Sequence, residues 1–321
     1  MLRFIKKILI VFTIPIIVFF INYYHNSKGY FNKNSKYLNE VVKHLNEGKN
    51  LEINDEYNGE KLTEIRIKNF KAKEIDTLVI GSSLVMNFGI ALERIATNFF
   101  IYGANLNHYN SIVSGLIKKD VKLNYVIIDV NEFLFQSKKI TTEKVEKFDI
   151  GLKDKFIKGF SLKELIFSLN PFKFNVIEDY KNANNLVLFF DGSAVQKKEY
   201  FERDKDSAFK NSRLLKRRIL MNKNLKSYNF DKNQFELFIK DILKFSCRIS
   251  FYITPQPPEI YDDYKVYYEN IEHQIINFSK DKPIDIVGSF NPNTLDIKFD
   301  DFIDARHLSL DAIKKIYSSK Y

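Results

Sequence analysis

The amino-acid sequence predicts an α/β fold with a mostly parallel sheet, in a flavodoxin-like three-layer α/β/α arrangement. Two observations predict it. Short apolar segments alternate with helical segments from Asp76 onward, and the apolar segments are continuous, as is typical of parallel strands that are buried on both faces. A chain of 321 residues is long enough for one large domain of this kind.

The predicted strands are apolar runs that end in a turn-forming or polar residue. They cover residues 77–80, 99–103, 125–130, 249–254 and 284–288, with helices predicted around 84–96, 108–119, 232–244, 261–279 and from Leu308 onward. The only cysteine, Cys247, precedes the fourth strand. A single cysteine excludes an intramolecular disulfide and a Cys-rich zinc site, and we predict that Cys247 is packed in the core.

The amino-terminal residues 1–24 predict a signal-anchor transmembrane helix. Residues Ile8–Tyr24 form an uncharged and almost wholly apolar run, which is at the short end of what spans a bilayer. Arg3, Lys6 and Lys7 precede the run, which favours a cytoplasmic amino terminus. A cleaved signal peptide is the alternative, but the run does not end in the small residues of a cleavage site. We therefore expect a single-pass cytoplasmic membrane protein whose remaining residues lie outside, periplasmic or extracellular.

The rest of the chain divides into a polar segment and a domain. Residues 25–74 are rich in Asn, Lys and Glu, with a helical patch near Tyr37–Leu45, and are interpreted as a stalk. The α/β domain is predicted over 75–321. The alternation of strands and helices is lost over roughly 136–235, which is interpreted as an insertion that covers one edge of the sheet.

The chain is basic, with 50 Lys and Arg against 40 Asp and Glu and a net charge of +10. This excess indicates either contact with a polyanion or a general abundance of lysine. No nucleic-acid-binding motif accompanies it, so no nucleic-acid partner is predicted. The densest cluster, residues 213–218, is interleaved with leucines. It predicts an amphipathic helix whose charged face is solvated or lies on an anionic surface.

A candidate nucleophile follows the first strand, where Gly81-Ser82-Ser83-Leu84 precedes a predicted helix. Open α/β sheets bind ligands at the carboxyl ends of their strands, and a helix amino terminus favours negative charge. A serine in this position is, taken alone, more often a helix cap. Asn131 follows the third strand and predicts either an oxyanion donor or an ordinary turn residue.

A candidate acid and base lie near the carboxyl terminus, in Asp304-Ala305-Arg306-His307. An aspartate three residues before a histidine can reach its Nδ1, which leaves Nε2 free to accept a serine proton. Of the five histidines, only His307 has an acid at this spacing within a predicted loop. No cluster of His, Cys and carboxylates has the spacing of metal ligands, so neither a metal nor a cofactor is predicted.

These three segments, in this order and on loops of one predicted sheet, resemble the SGNH (GDSL-type) hydrolase family. The Gly-Asp-Ser-Leu block of the family corresponds to residues 81–84, which implies Ser83 as the nucleophile. The Asp-x-x-His block implies that Asp304 and His307 complete a catalytic triad with it. Ser82 stands where the family has Asp.

The resemblance also implies an oxyanion hole and a substrate groove. The Gly-x-Asn-Asp block corresponds to residues 129–132, where Asp129 and Glu132 replace the Gly and Asp of the family. The second block corresponds to residues 102–106. The oxyanion donors so implied are the backbone N–H of Ser83, the Asn131 amide, and the backbone of Gly103 and Leu106. The residues expected to bind substrate are Ser82, Asn105, Pro255 and Gln256, although the loop of the last two can equally be a turn that ends its strand.

The combination of a Gly-Ser-Ser block and an amino-terminal anchor is similar to one branch of the family. That branch includes the lipoteichoic acid D-alanylation and alginate O-acetyltransferase-like proteins. It implies an acyl or acetyl transfer to a cell-surface glycan or polymer, beside a membrane-bound O-acyltransferase partner. Two alternatives remain: an esterase or deacetylase that acts on glycan or lipid, and a catalytically silent glycan-binding or scaffold subunit, which the altered blocks suggest.

Overall fold

The structure, a computed structural model, describes residues 2–25, 35–53, 57–70, 77–92, 96–131, 134, 157–162, 165–166, 174–195, 207–224 and 232–318. The helices are α1 Leu2–His25, α2 Lys36–Asn46, α3 Gly59–Asn69, α4 Phe88–Leu92, α5 Leu106–Ile117, α6 Ser207–Asn224, α7 Lys232–Ile242, α8 Pro258–Asp263, α9 Lys265–Ser279 and α10 Leu310–Ser318. The strands are β1 Asn50–Ile53, β2 Thr77–Gly81, β3 Ala96–Phe100, β4 Leu123–Asp129, β5 Phe174–Ile177, β6 Leu186–Leu188, β7 Ala194–Val195, β8 Ser246–Ile253 and β9 Ile284–Gly288.

The central sheet has five strands in the order β3-β2-β4-β8-β9. Every neighbouring pair in it is parallel. Numbered along the chain within this sheet, the order is 2-1-3-4-5, the order of flavodoxin-like doubly wound folds. The predicted α/β class with a parallel sheet is confirmed.

Helices cover both faces of this sheet because successive strand residues point to opposite sides. On β2, Leu78 and Ile80 belong to a core that includes α5, α7 and α9. Val79, between them, belongs to a second core that includes α2, α4 and α10. The arrangement is compatible with a three-layer α/β/α fold.

The sequence predicted residues 25–74 as a stalk, but its described residues, 35–53 and 57–70, are folded onto the domain. Helix α2 buries Tyr37, Leu38 and Val41 on one side, and β1 is paired on both of its edges. The polar side chains of α2 lie on its outer face, so the average polarity of this segment concealed an amphipathic helix.

A second, antiparallel sheet has the order β5-β1-β6-β7. One of its strands comes from the expected stalk and three come from the expected insertion. The Asn98 N–H of β3 donates to Asp191 O at 2.8 Å, and the guanidinium of Arg66 donates to the carbonyl oxygens of both residues. The small sheet therefore lies beside β3, an edge strand of the central sheet.

Other differences from the sequence predictions are local. The second strand of the central sheet is β3 at Ala96–Phe100 rather than 99–103, and the helix predicted at 84–96 is a 3₁₀ turn followed by the short α4. Cys247 is exposed rather than packed in the core. The reason is that Cys247 lies in the exposed first part of β8, before the continuously buried stretch that starts at Ile249.

Over the part of the chain that is described, no helix is both long enough and apolar enough to cross a membrane. The last turns of α1 contact a short segment at 157–161. The Asn22 side chain is buried there and donates to Gly159 O at 2.9 Å and to Ser161 O at 3.0 Å.

Candidate active site

The polar loops predicted from the sequence meet at one edge of the central sheet, where the strands end. The pairing aligns Gly81 at the end of β2 with Phe100, and Asp129 at the end of β4 with Tyr252. The segment 302–308 closes this edge through a bridge between Phe302 and Leu308. Parallel topology alone brings these carboxyl ends together.

The nucleophile candidate Ser83 begins a 3₁₀ turn, Ser83–Val85, directly after β2. The Ser82 hydroxyl caps this turn by accepting a hydrogen bond from Leu84 N at 3.3 Å. Gly81 is required at the end of the strand, since a Cβ there would lie 2.2 Å from Val85 Cγ2. The first N–H groups of a helix have no partner inside it, so the Ser83 N–H has no partner within this turn.

The three predicted triad residues form one chain of hydrogen bonds. Ser83 Oγ lies 3.0 Å from His307 Nε2, and His307 Nδ1 lies 3.1 and 3.0 Å from the two carboxylate oxygens of Asp304. An ionised carboxylate only accepts hydrogen bonds, so Nδ1 carries a proton, and in the neutral form of the ring Nε2 is then the acceptor for the Ser83 hydroxyl. This arrangement of nucleophile, base and acid is the one that nucleophilic acyl transfer requires.

Asp304 is buried and is held by several donors. Its Oδ1 accepts from the backbone N–H groups of Arg306 at 2.7 Å and His307 at 2.8 Å, and Arg213 Nη1 donates to its Oδ2 at 2.9 Å. Burial alone would raise the pKa of this carboxyl. The charge and hydrogen bonds of His307, with the charge of Arg213, outweigh burial and lower the pKa of Asp304 well below its usual range.

A second buried carboxylate, Asp129, organises the loops after β2 and β4. Its Oδ2 accepts from Ser82 Oγ at 2.6 Å, from Ser82 N at 3.1 Å and from Asn131 Nδ2 at 2.8 Å. Burial raises the pKa of Asp129, although hydrogen bonds from Ser82 and Asn131 and the charge of Arg306 act in the opposite direction. Ser82 is thus bonded directly to a buried carboxylate at the end of the neighbouring strand, β4.

This cluster also locates two residues with predicted roles in binding. Ser82, predicted to contact substrate, is only 1% exposed, and its hydroxyl donates a hydrogen bond to Asp129. Asn131, predicted as an oxyanion donor, is fully buried, and its amide donates to Asp129 and to Ser82 Oγ at 3.3 Å. The structure therefore brings Asn131 to the correct edge of the sheet, with its amide held by the cluster.

The loop after β3 contains the other predicted oxyanion residues. Ile101 N donates to Gly81 O at 3.0 Å, which fixes the start of this loop beside the nucleophile turn. Gly103 is exposed and has a positive φ of 66°, and Leu106 begins α5. Asn105, predicted to bind substrate, caps α5 by accepting from the N–H groups of Asn107 and His108.

The predicted groove residues Pro255 and Gln256 follow β8 and are buried. The Gln256 Oε1 accepts hydrogen bonds from Arg217 and, at 3.1 Å, from the Tyr268 hydroxyl. Its Nε2 donates to Thr254 O at 3.1 Å. The loop is therefore fixed beneath α6 rather than open to solvent.

The sequence interpretation missed the contacts of Arg213 and Arg217. Both lie in the basic cluster that was interpreted as a solvated or surface-bound helix face, and both reach the loop of Asp304. The sequence signal was the cluster itself, but nothing local connects position 213 with position 304. Among the residues that the structure describes, no group of His, Cys, Asp or Glu could hold a metal ion.

Comparisons with known proteins add no relative. The chain matches no family model, no curated protein and no solved structure.

Proposed function

We propose that this chain is a serine acyltransferase of the SGNH type, with the corresponding three-layer α/β/α fold. The observation that carries the proposal is the continuous hydrogen-bond chain from Ser83 through His307 to Asp304. These residues come from opposite ends of the domain sequence and meet at the carboxyl edge of a parallel sheet, where catalytic residues of such folds lie.

In the first half of the reaction, His307 Nε2 takes the hydroxyl proton of Ser83 while Ser83 Oγ attacks the carbonyl carbon of an acyl ester or thioester. Asp304 stabilises the imidazolium that forms. The carbonyl oxygen becomes an oxyanion, for which we propose the N–H groups of Ser83, Gly103 and Leu106 and the Asn131 amide as donors. Collapse of the intermediate expels the alcohol or thiol, which takes its proton from His307, and leaves an ester on Ser83.

In the second half, an acceptor hydroxyl gives its proton to His307 and attacks the carbonyl carbon of the Ser83 ester. The bond to Ser83 Oγ then breaks, His307 returns the proton to Ser83, and the acyl group leaves the enzyme on the acceptor. We propose that the acceptor is a hydroxyl of a cell-surface glycan or polymer. Water as the acceptor would make the protein an esterase or deacetylase, which is the alternative supported by the same triad. A silent glycan-binding or scaffold role is favoured only by the engagement of the Asn131 amide with Asp129.

We further propose that residues 1–24 anchor the protein in the cytoplasmic membrane, with the domain periplasmic or extracellular and a membrane-bound O-acyltransferase as a partner that supplies the acyl group. The support is the apolar run Ile8–Tyr24 with Arg3, Lys6 and Lys7 before it. Protease treatment of intact spheroplasts tests the orientation. The domain is expected to be digested from outside, and full protection would contradict it.

The experiment that tests the activity uses the purified full-length protein with p-nitrophenyl acetate as the acyl donor. We expect a burst of nitrophenolate and, after acid quenching, one acetyl group on the Ser83 peptide by mass spectrometry. Ser83→Ala is expected to abolish both signals, whereas Ser111→Ala, a half-buried serine on α5, is expected to retain them. Shortening of the acyl-enzyme lifetime by a soluble oligosaccharide, with acetylated sugar as product, would identify a transferase. Release of acetate alone would identify an esterase.

A further inference from the structure

Helix α6 reaches the catalytic loop with two arginines that lie one helical turn apart. Arg213 Nη1 donates to Asp304 Oδ2 at 2.9 Å, and Arg217 Nη1 donates to Ala305 O at 2.6 Å. Side chains four residues apart project from the same side of a helix. Both arginines therefore contact the same four-residue loop that contains the proposed acid and base.

The helix is held in this position by its apolar side. Leu214 and Met221 are buried and belong to the core beneath the sheet face that α5, α7 and α9 cover. The second guanidinium nitrogen of Arg217 donates to Gln256, which is itself fixed by Tyr268. The arginines thus project from a packed helix onto a loop whose position is fixed. Their side chains are held in place, unlike those of cations on an open surface.

Asp304 needs a cation more than an exposed carboxylate does. Its side chain is 4% exposed, whereas that of Arg213 is 35% exposed. A buried carboxylate loses hydration and is stable as an anion only with charged partners and hydrogen bonds. A guanidinium is not deprotonated in proteins, so Arg213 is a permanent positive charge beside Asp304 before the reaction begins.

We propose that Arg213 is a positioning residue of the triad. It keeps Asp304 ionised and fixes Oδ2 toward His307 Nδ1, while Arg217 fixes the adjacent backbone. Helix α6, which lies in the mid-chain segment, is therefore part of the site because it carries both arginines. The inference rests on the proposed function for its kinetic test only, because the hydrogen bond between Asp304 and His307 is observable without a substrate.

The test compares Arg213→Gln, Arg213→Lys and the matched control Arg218→Gln in the full-length protein. Arg218 lies on the same helix and pairs with Asp263, away from the triad loop. Loss of a hydrogen bond to a buried charge is expected to slow the reaction of Ser83 with a fluorophosphonate about 10- to 100-fold in Arg213→Gln. Arg213→Lys, which keeps the charge, is expected to recover most of the rate, and Arg218→Gln is expected to react as the wild type does.

The second readout is the low-field proton resonance of His307 Nδ1–H, which reports its hydrogen bond to Asp304. We expect it to be lost or shifted in Arg213→Gln and retained in Arg218→Gln, with all variants folded by circular dichroism. An unchanged resonance and an unchanged rate in Arg213→Gln would overturn the inference while leaving the proposed function intact. Conversely, a wild type that does not react but whose resonance depends on Arg213 would contradict the proposed function alone.

A second, independent observation concerns the segment that contacts α1. The ring of Phe160 packs on that of Phe19, with centroids 5.0 Å apart. A Cβ on Gly159 would lie 2.3 Å from the Phe19 ring, so only glycine allows this approach. Together with the hydrogen bonds of Asn22, these contacts fix the segment to the end of α1 that lies farthest from its positive charges.

Apolar side chains of both elements are exposed around this contact. In the segment they are Ile157 at 55%, Leu162 at 64% and Ile166 at 66%, and in α1 they include Ile17 at 50% and Phe20 at 63% exposure. Exposed apolar side chains on two elements that contact each other indicate a surface that is covered in the working protein. Since α1 is the proposed anchor, lipid is the occupant with which this apolar face is continuous.

We infer that residues 157–162, 165 and 166 lie in the headgroup region of the bilayer beside α1 and hold the domain at the membrane surface. This inference rests on the proposed anchor. The test uses full-length protein with Cys247→Ser in lipid nanodiscs, and a fluorophore on Leu162→Cys or, as the control, on Val266→Cys. Val266 is an 81%-exposed apolar residue on α9.

Brominated lipids are expected to quench the fluorophore at position 162 at least several-fold more than the one at position 266. Equal and weak quenching at the two positions, in protein that has entered the discs, would overturn the inference but leave the anchor in place. Failure of the protein to enter the discs would overturn both.

Discussion

Replacing Ser82 by alanine tests how the nucleophile turn is held. Ser82 Oγ donates to the buried Asp129 Oδ2 at 2.6 Å and caps the turn of Ser83 through Leu84 N. A hydrogen bond to a charged group contributes about 1.5–3 kcal/mol, and a helix cap contributes about 1 kcal/mol. We expect Ser82→Ala to lower the free energy of unfolding by about 2–4 kcal/mol at a pH where Asp129 is ionised.

The same substitution has a defined pH dependence. Burial raises the pKa of Asp129 above its unfolded value, so this group favours the folded state at low pH, and that contribution is lost as the pH rises through the folded pKa. Removing the Ser82 donor raises this pKa further, because it withdraws a hydrogen bond from the charged form. The destabilisation by Ser82→Ala is therefore expected to be larger at about pH 8 than at about pH 5.

The assay is urea unfolding followed by far-UV circular dichroism, since the chain has no tryptophan. Ser250→Ala is the matched control. Ser250 is fully buried on β8, and its hydroxyl has no hydrogen-bond partner among the described residues, so its loss is expected to be neutral or stabilising. Equal effects of the two substitutions, or a Ser82→Ala effect that does not change with pH, would refute the role assigned to Asp129.

Three further predictions follow from the packing and the charges. Gly81→Ala forces a Cβ to 2.2 Å from Val85 Cγ2 and is expected to cost about 1–3 kcal/mol, measured as a lower urea midpoint. Phe235→Ala empties a site that is 2% exposed in the core and is expected to cost about 3–5 kcal/mol, while Val266→Ala at the surface stays within about 0.5 kcal/mol of the wild type; similar losses for both would contradict the assigned core. The pKa of Asp304 is lowered in the folded state, so its contribution to stability is present above the unfolded value of about 3.9 and is lost as the pH falls below it. Asp304→Asn should therefore lose less stability than the wild type between about pH 6 and about pH 3, and an identical loss in both proteins would be inconsistent with this charge.

The elements that the sequence predicted well are those with local signals. The strand Ile284–Gly288 has the predicted bounds, because an apolar run that ends in glycine contains its own limits. The contact of Ser83, His307 and Asp304 was expected from short motifs joined to one topological rule, that the ends of parallel strands share an edge. Neither step required knowledge of a distant side chain.

The features that the sequence analysis did not predict depend on contacts between distant segments. The described residues of the expected stalk looked polar because only one side of α2 is apolar, and only the folded domain shows which side is covered. The contact of Arg213 with Asp304 joins residues 91 positions apart. Likewise, the hydrogen bond from Ser82 to Asp129 joins the ends of two neighbouring strands, between residues 47 positions apart.

The central claim, that His307 activates Ser83, is tested most directly by labelling the full-length protein with a fluorophosphonate and sequencing the modified peptide. We expect a single adduct on Ser83 that is absent in Ser83→Ala and forms at least a hundredfold more slowly in His307→Ala. His108→Ala is the matched control, because His108 caps α5 and faces Glu60, and it is expected to label as the wild type does. No adduct on Ser83, under conditions that label a known serine hydrolase, would contradict the account and favour a binding or scaffold role.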